Sequence, residues 1–149
     1  AGVPADKVRK TSLANLRFAA AALEKEGIRL LVEALNDKDV PGFYLVRTAD
    51  VLALIQEVGH PNVYVQYDVY HMQIMEGNLT KTIQANLDKI AHIQIADNPG
   101  RNEPGTGEIN YPYLFKTIDA AGYQGWIGCE YKPAGKTEDG LGWLQPFRR

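Results

Sequence analysis

A chain of 149 residues, 45% hydrophobic and 23% charged, has the composition of an ordinary soluble globular protein and the length for one domain with a real core. Its net charge is −2, and the sixteen basic residues are scattered, so no electrostatic footprint exists for nucleic acid. No apolar stretch approaches the roughly 18 residues that span a bilayer, and the first ten residues lack a signal peptide's apolar region, which argues against a membrane.

The single cysteine, Cys129, lies in the apolar run Gly125-Trp126-Ile127-Gly128-Cys129. It reads as a buried thiol in a reducing compartment, and so as cytoplasmic. The start, Ala1-Gly2-Val3-Pro4, has no initiator Met and runs at once into a helix, the pattern of a fragment or a processed product.

In chain order, apolar residues at Val8, Leu13, Leu16, Phe18, Ala19, Ala20 and Leu23 follow a helical period from Ala5 to Glu26, and Gly27 supplies the stop. Ile28 to Glu33 is short, apolar and branched, as a buried parallel strand should be, and breaks at Asn36-Asp37. Thr48 is placed to cap a helix over Ala49 to Val58. Gly59-His60-Pro61-Asn62 then turns the chain into a strand from Val63 to Asp68. A polar helix is expected over Asn78 to Leu87 and a third strand over Ile90 to Ile95. A loop rich in Gly and Pro follows from Asp97 to Asn110. Tyr111 to Ala121 reads as a helix ended by Gly122, Gly125 to Glu130 as a fourth strand, and Glu138 to Leu144 as a last short helix.

Strands alternating with helices predict βα units and a parallel sheet, with all strand C-termini on one edge. Period and composition alone leave a doubly wound sheet and a barrel both open. Each strand closes on a polar residue at or near its end: Glu33, Asp68, Gln94 and Glu130. Three carboxylates gathered on one edge would raise one another's pKa, whereas a divalent cation would keep them ionised and use their oxygens. Oxygen ligation favours Mg²⁺ or Mn²⁺ over zinc. Taken singly, each acid is as well explained as a helix cap or a solvent contact; the four together are not.

His71 lies three residues beyond Asp68, where a turn leaving the strand would bring the imidazole beside a metal ligand. Arg101, in the long loop, offers a guanidinium fork suited to a carboxylate. His92, two residues before Gln94, shares its face and reads as a core histidine; His60 reads as exposed. Gly105-Thr106-Gly107-Glu108 lacks the Lys-Ser/Thr pair of a phosphate loop and is a turn. Tyr123, Trp126, Tyr131 and Trp143 read as packing around the last strand, and Phe43 and Tyr44 as pocket walls.

Several long motifs carry a resemblance: Leu-Val-Glu-Ala-Leu-Asn (31 to 36), Val-Gln-Tyr-Asp-Val-Tyr-His-Met-Gln (65 to 73), Glu-Gly-Asn-Leu-Thr (76 to 80), the segment from His92 to Tyr111, and Gly-Trp-Ile-Gly-Cys-Glu-Tyr-Lys-Pro (125 to 133). On these residues the chain resembles the hydroxypyruvate isomerase family, within the larger xylose isomerase-like group. The resemblance covers nearly the whole chain but only the latter half of that family's (β/α)₈ TIM barrel, about four βα units. It implies one domain over 1–149, the C-terminal half of a barrel. By matching position it implies Glu33, Asp68, Gln94 and Glu130 as metal ligands, Glu33 and Glu130 as the acid/base pair, and His71 and Arg101 as substrate contacts. At one point the match shifts: Glu33 is followed by Ala34-Leu35-Asn36 where the bacterial hydroxypyruvate enzymes carry Glu-Pro-Ile-Asn, and Glu-Ala-Leu resembles the sister 2-oxo-tetronate isomerases.

The activity so implied is interconversion of hydroxypyruvate and 2-hydroxy-3-oxopropanoate, a small-molecule 2-oxo or hydroxy acid being the partner. One glutamate removes a carbon-bound proton and the other returns one to the neighbouring carbon, while His71 assists transfer between oxygens and Arg101 holds the carboxylate. Two rivals differ in class. An abasic-site endonuclease uses a related barrel but needs more ligands and a basic face for DNA. An inactive half-barrel would leave two sheet edges unpaired, which a homo-oligomer of half-barrels would close. Whole barrels of this type take around 250 residues.

Overall fold

The computed structural model describes residues 2–147, so the ends of the expected 1–149 domain, and the reading placed on Ala1, lie outside the described residues. Helix α1, Ala5–Lys25, buries Leu13 and Ala20 with Leu16 packed beside them; Phe18 points away and is 78% exposed, so it is not part of the helix's apolar stripe. The helix closes with Gly27 at φ +67° and with Ile28 N–H donating to Leu23 O at 3.0 Å. Ile28 is therefore spent on the helix end, and strand β1 is Leu30–Glu33, shorter than the expected Ile28 to Glu33.

Helix α2 spans Thr48–Val58. Thr48 lies inside it and does not cap it. Asp50 does that work, its carboxylate accepting the backbone N–H groups of Val46 (3.3 Å) and Arg47 (3.1 Å). Gly59, at φ +67°, terminates α2, and strand β2 follows over Val63–Asp68. Where a turn was expected after β2, a helix begins at once. Helix α3, Val69–Met75, uses Asp68 as its N-cap, the carboxylate accepting His71 N–H at 3.1 Å. Helix α4 is Leu79–Ala85, strand β3 Ile90–Ile95, helix α5 Tyr111–Ala120 and strand β4 Trp126–Cys129. A 3₁₀ segment, Asp139–Phe147, stands where a short helix was expected.

The strands form one parallel sheet in the order β1-β2-β3-β4. Sequential order with no reversal is the arrangement of a singly wound barrel, since a doubly wound sheet changes direction at a switch point. Four βα units make part of a barrel. Pairing of β2 with β3 runs Val65↔Ile90 and then Gln66↔His92, so β3 carries one extra residue, Ala91, at a bulge. One face of the sheet, Val32, Val63, Val65, Tyr67, Ile93 and Ile95, packs against Val51, Leu54 and Val58 of α2, Ile83 of α4 and Leu114 and Ile118 of α5. The other face carries Glu33, Gln66, His92 and Gln94, all half-buried.

Strand β4 departs from expectation. Trp126 is 84% exposed and Cys129 is exposed, so neither is the core residue that the apolar run suggested. The cause is position: β4 pairs with β3 on one side only. Trp143 does pack, stacked on Phe115 at 6.3 Å between ring centroids and donating its indole N–H to Tyr131 Oη at 3.3 Å. Among the described residues no helix is long and apolar enough to cross a membrane.

Candidate metal and substrate site

The C-terminal edge of the sheet gathers the strand-end residues. Glu33 ends β1, Asp68 ends β2, Gln94 faces Asp68 in register on β3, and Glu130 follows β4, its N–H donating to Ile95 O at 3.0 Å. Ligand atoms of Glu33, Asp68 and His71 all lie within 4.8 Å of one another, a group able to hold a divalent cation. Gln94 joins through Gln66, whose amide N–H₂ donates to Glu33 Oε2 at 2.9 Å and to Gln94 Oε1 at 2.5 Å. Glu130 stands slightly apart, its Oε2 paired with Arg101 Nη2 at 3.0 Å.

The electrostatics fit a cation. Glu33 Oε1 and Asp68 Oδ2 are buried without a hydrogen-bond partner among the described residues, a costly state for a carboxylate oxygen unless a cation or ligand faces it. Burial pushes the Glu33 carboxyl up to about 7, helped by the nearby charges of Asp68 and Glu130. Burial also raises Asp68, against the pull of His71 and Arg101, and lowers His71. Crowded carboxylates that resist ionising when alone are the donor set a divalent ion stabilises.

His71 is buried on the first turn of α3, with Nδ1 against the Asn36 backbone N–H at 3.1 Å and Nε2 3.5 Å from Arg101 Nη2. The Arg101 guanidinium lies over the Tyr70 ring, 5.0 Å from its centroid. Arg101 itself adopts φ +55°, a left-handed backbone costly for a residue that carries a Cβ, and is held there by its N–H to Asp97 O (2.8 Å) and by Lys132 N–H to its own carbonyl (2.7 Å). The loop that carries it is tied from beneath. Buried Asp97 accepts the backbone N–H groups of Asn98, Gly105 and Ile109 at 2.9, 2.7 and 3.1 Å. A Cβ on Gly107 would overlap the Asn98 carbonyl, so the Gly-Thr-Gly segment is a close-packed turn and not a phosphate cradle.

The structure thus draws together Glu33, Asp68, Gln94, His71, Arg101 and Glu130. His92 is half-buried on the same face, its Nε2 2.8 Å from where a Cβ on Gly128 would stand; His60 is half-buried too, accepting Asn62 N–H at 3.2 Å, and not the exposed residue expected. Phe43 and Tyr44 are each 38% exposed. Sequence reasoning missed Gln66, Asn36, Asp39, Tyr70 and Asp97. Strand alternation two residues before Asp68 points to Gln66, and Asn36-x-x-Asp39 has the spacing of a local side-chain turn, but nothing local marked Tyr70 or Asp97.

The family model for the xylose isomerase-like TIM barrel matches residues 1–147. Hydroxypyruvate isomerase of Escherichia coli K12 is 55% identical over 148 residues, 99% of this chain and 57% of that protein. A 2-oxo-tetronate isomerase of Cupriavidus necator is 48% identical, over 97% of this chain and 57% of its own length. Among solved structures, one described as AP endonuclease, family 2, from Brucella melitensis superposes with a TM-score of 0.95 at 46% identity, covering 99% of this chain and 57% of that one. An Escherichia coli 3-keto-D-glucoside 4-epimerase superposes at 0.88 with 29% identity, over 98% and 56%. The chain spans little more than half the length of these relatives.

Proposed function

Since the chain belongs to the xylose isomerase-like TIM barrel family, we propose that it is the C-terminal half of one barrel domain whose complete form interconverts hydroxypyruvate and 2-hydroxy-3-oxopropanoate. The observation that carries this reading is the pair of buried, unpartnered carboxylate oxygens, Glu33 Oε1 and Asp68 Oδ2, at the ends of adjacent parallel strands. The 55% identical hydroxypyruvate isomerase supports it.

Glu33, Asp68, Gln94 and Glu130 would hold a divalent ion, Mg²⁺ or Mn²⁺, all four offering oxygen. When bound, that ion supplies positive charge that polarises a carbonyl and stabilises the negative charge developing after deprotonation. The protein's own groups do the rest. Gln66 fixes Oε2 of Glu33 and leaves Oε1 to take a proton from, or return one to, a substrate carbon. Glu130, set by Arg101, would serve the neighbouring carbon. Arg101 has further N–H donors for the substrate carboxylate, and His71 meets a substrate oxygen.

The Glu33-Ala34-Leu35 variation and the 48% identical 2-oxo-tetronate isomerase favour a second reading, a four-carbon acid as substrate. An endonuclease activity, named for the Brucella structure, finds no support in a chain of net charge −2 with dispersed basic residues. The test is to assay the complete barrel that contains this chain with Mg²⁺, with Mn²⁺ and with EDTA, on hydroxypyruvate and on a 2-oxo-tetronate. Metal-dependent turnover of hydroxypyruvate upholds the proposal; preference for the longer acid moves it to the second reading, and no turnover of either removes it. Glu33→Gln should lower turnover by about 10²-fold or more while leaving the circular dichroism spectrum in place.

A further inference from the structure

Asn36 is wholly buried and has all its hydrogen-bonding capacity engaged. Its side-chain oxygen accepts the backbone N–H groups of Lys38 at 3.1 Å and Asp39 at 2.7 Å. Only oxygen can accept two backbone donors, so the orientation of the carboxamide follows from chemistry. Its N–H₂ accordingly faces His71 Nδ1 at 2.7 Å and Asp39 Oδ2 at 3.0 Å. The Asn36 backbone N–H is directed at the same ring nitrogen, at 3.1 Å.

Both of those groups can only donate. Nδ1 must therefore offer its lone pair, which leaves the ring proton on Nε2. A histidine bound to a metal ordinarily gives its other N–H to a carbonyl or carboxylate, and here the outer nitrogen does the reverse. On the inner side, Nε2–H and Arg101 Nη2 stand 3.5 Å apart. Two donors have nothing to give each other; Arg101 Nη2 gives one N–H to Glu130 Oε2 and keeps a second, so both nitrogens can serve a third atom that accepts.

Resting on the isomerase reading for the identity of that atom, we propose that Asn36 is a positioning residue that fixes His71 as the Nε2–H tautomer, so that His71 and Arg101 form a donor pair for one substrate oxygen. His71 is then neither a ligand of the cation nor a base. Asp39 braces both halves of the pair: its Oδ2 accepts from the Asn36 amide and from Tyr70 O–H (2.8 Å), and the Tyr70 ring carries the Arg101 guanidinium.

The test is long-range ¹H–¹⁵N NMR of the protein labelled with ¹⁵N-histidine, without and with Mg²⁺, on the native protein and on Asn36→Asp. The expected native spectrum has the His71 proton on Nε2 and keeps it there when Mg²⁺ is added. Asn36→Asp puts an acceptor where the amide donated, so the proton should move to Nδ1, while kcat on hydroxypyruvate falls about 10²-fold with little change in KM. A native proton on Nδ1, or a bare Nε2 once Mg²⁺ is present, overturns the proposal. So does Asn36→Asp losing turnover with the native tautomer intact. Should the variant not fold, the native spectra decide alone; should neither acid be turned over, the isomerase reading fails while the tautomer result stands.

Discussion

The middle of the sheet and its last strand are built from similar sequence and have opposite fates. Val65, Tyr67, Ile93 and Ile95, on β2 and β3, are at most 2% exposed, whereas Trp126 on β4 is 84% exposed and Cys129 is exposed as well. All come from short strands rich in apolar residues that carry a polar residue at or near their end. Neighbours make the difference, because β2 and β3 each have a strand on both sides and helices over one face, and β4 has one strand partner. Hydrophobic runs specify strands; burial is a property of the company a strand keeps.

That contrast can be attacked at its strong end first. Ile93→Ala removes a fully buried side chain at the centre and should cost about 2–5 kcal/mol in urea unfolding of this chain. A loss under about 1 kcal/mol would mean that the centre is no better packed than the edge. Next, Gly128 on β4 allows the His92 ring to cross to it, and a Cβ there would stand 2.8 Å from Nε2. Gly128→Ala should cost about 1–3 kcal/mol, marking one point where the edge strand is tightly packed.

A third prediction concerns pH. The folded Glu33 carboxyl titrates at about 7 against an ordinary 4.5, so between those values the folded metal-free protein keeps a proton that the unfolded chain has released. Stability should therefore fall as pH rises through that window, and Mg²⁺ should remove the fall by favouring the ionised form; thermal melts from pH 5 to 8 with EDTA and with Mg²⁺ check both. The smallest effect belongs to the edge. Trp126→Ala should change this chain's stability by less than about 0.5 kcal/mol, and a larger loss would show that Trp126 is covered in solution.

Much of the fold was legible because parallel strands and their polar last residues are local signals. Glu33, Asp68, Gln94 and Glu130 were found from strand ends, and the resemblance supplied roles for His71 and Arg101. What remained hidden depends on partners distant in sequence. Asp68 gave no sign that it caps a helix starting at the next residue. Asn36 and His71 are thirty-five residues apart, and their contact exists only once β1 and β2 are side by side. The strand over Ile28 failed for a local reason instead, since Gly27 recruited that residue's N–H to finish α1. Cys129 and Trp126 failed because composition cannot report which strand pairs on one side only.

The bulge at Ala91 acts as a parity bit for everything after it. Were Ala91 paired with Gln66 instead of bulged out, the register would set Asp68 opposite Ile93, turn Gln94 toward the helices and bring an isoleucine into the cluster of acids. The amide that now meets Gln66 is present because one alanine is left out of the pairing. Deleting Ala91 would make Val65↔Ile90 and Gln66↔His92 consecutive pairs, straightening β3 while Gln94 still faces Asp68, so the site should survive the loss of the residue whose pairing would destroy it.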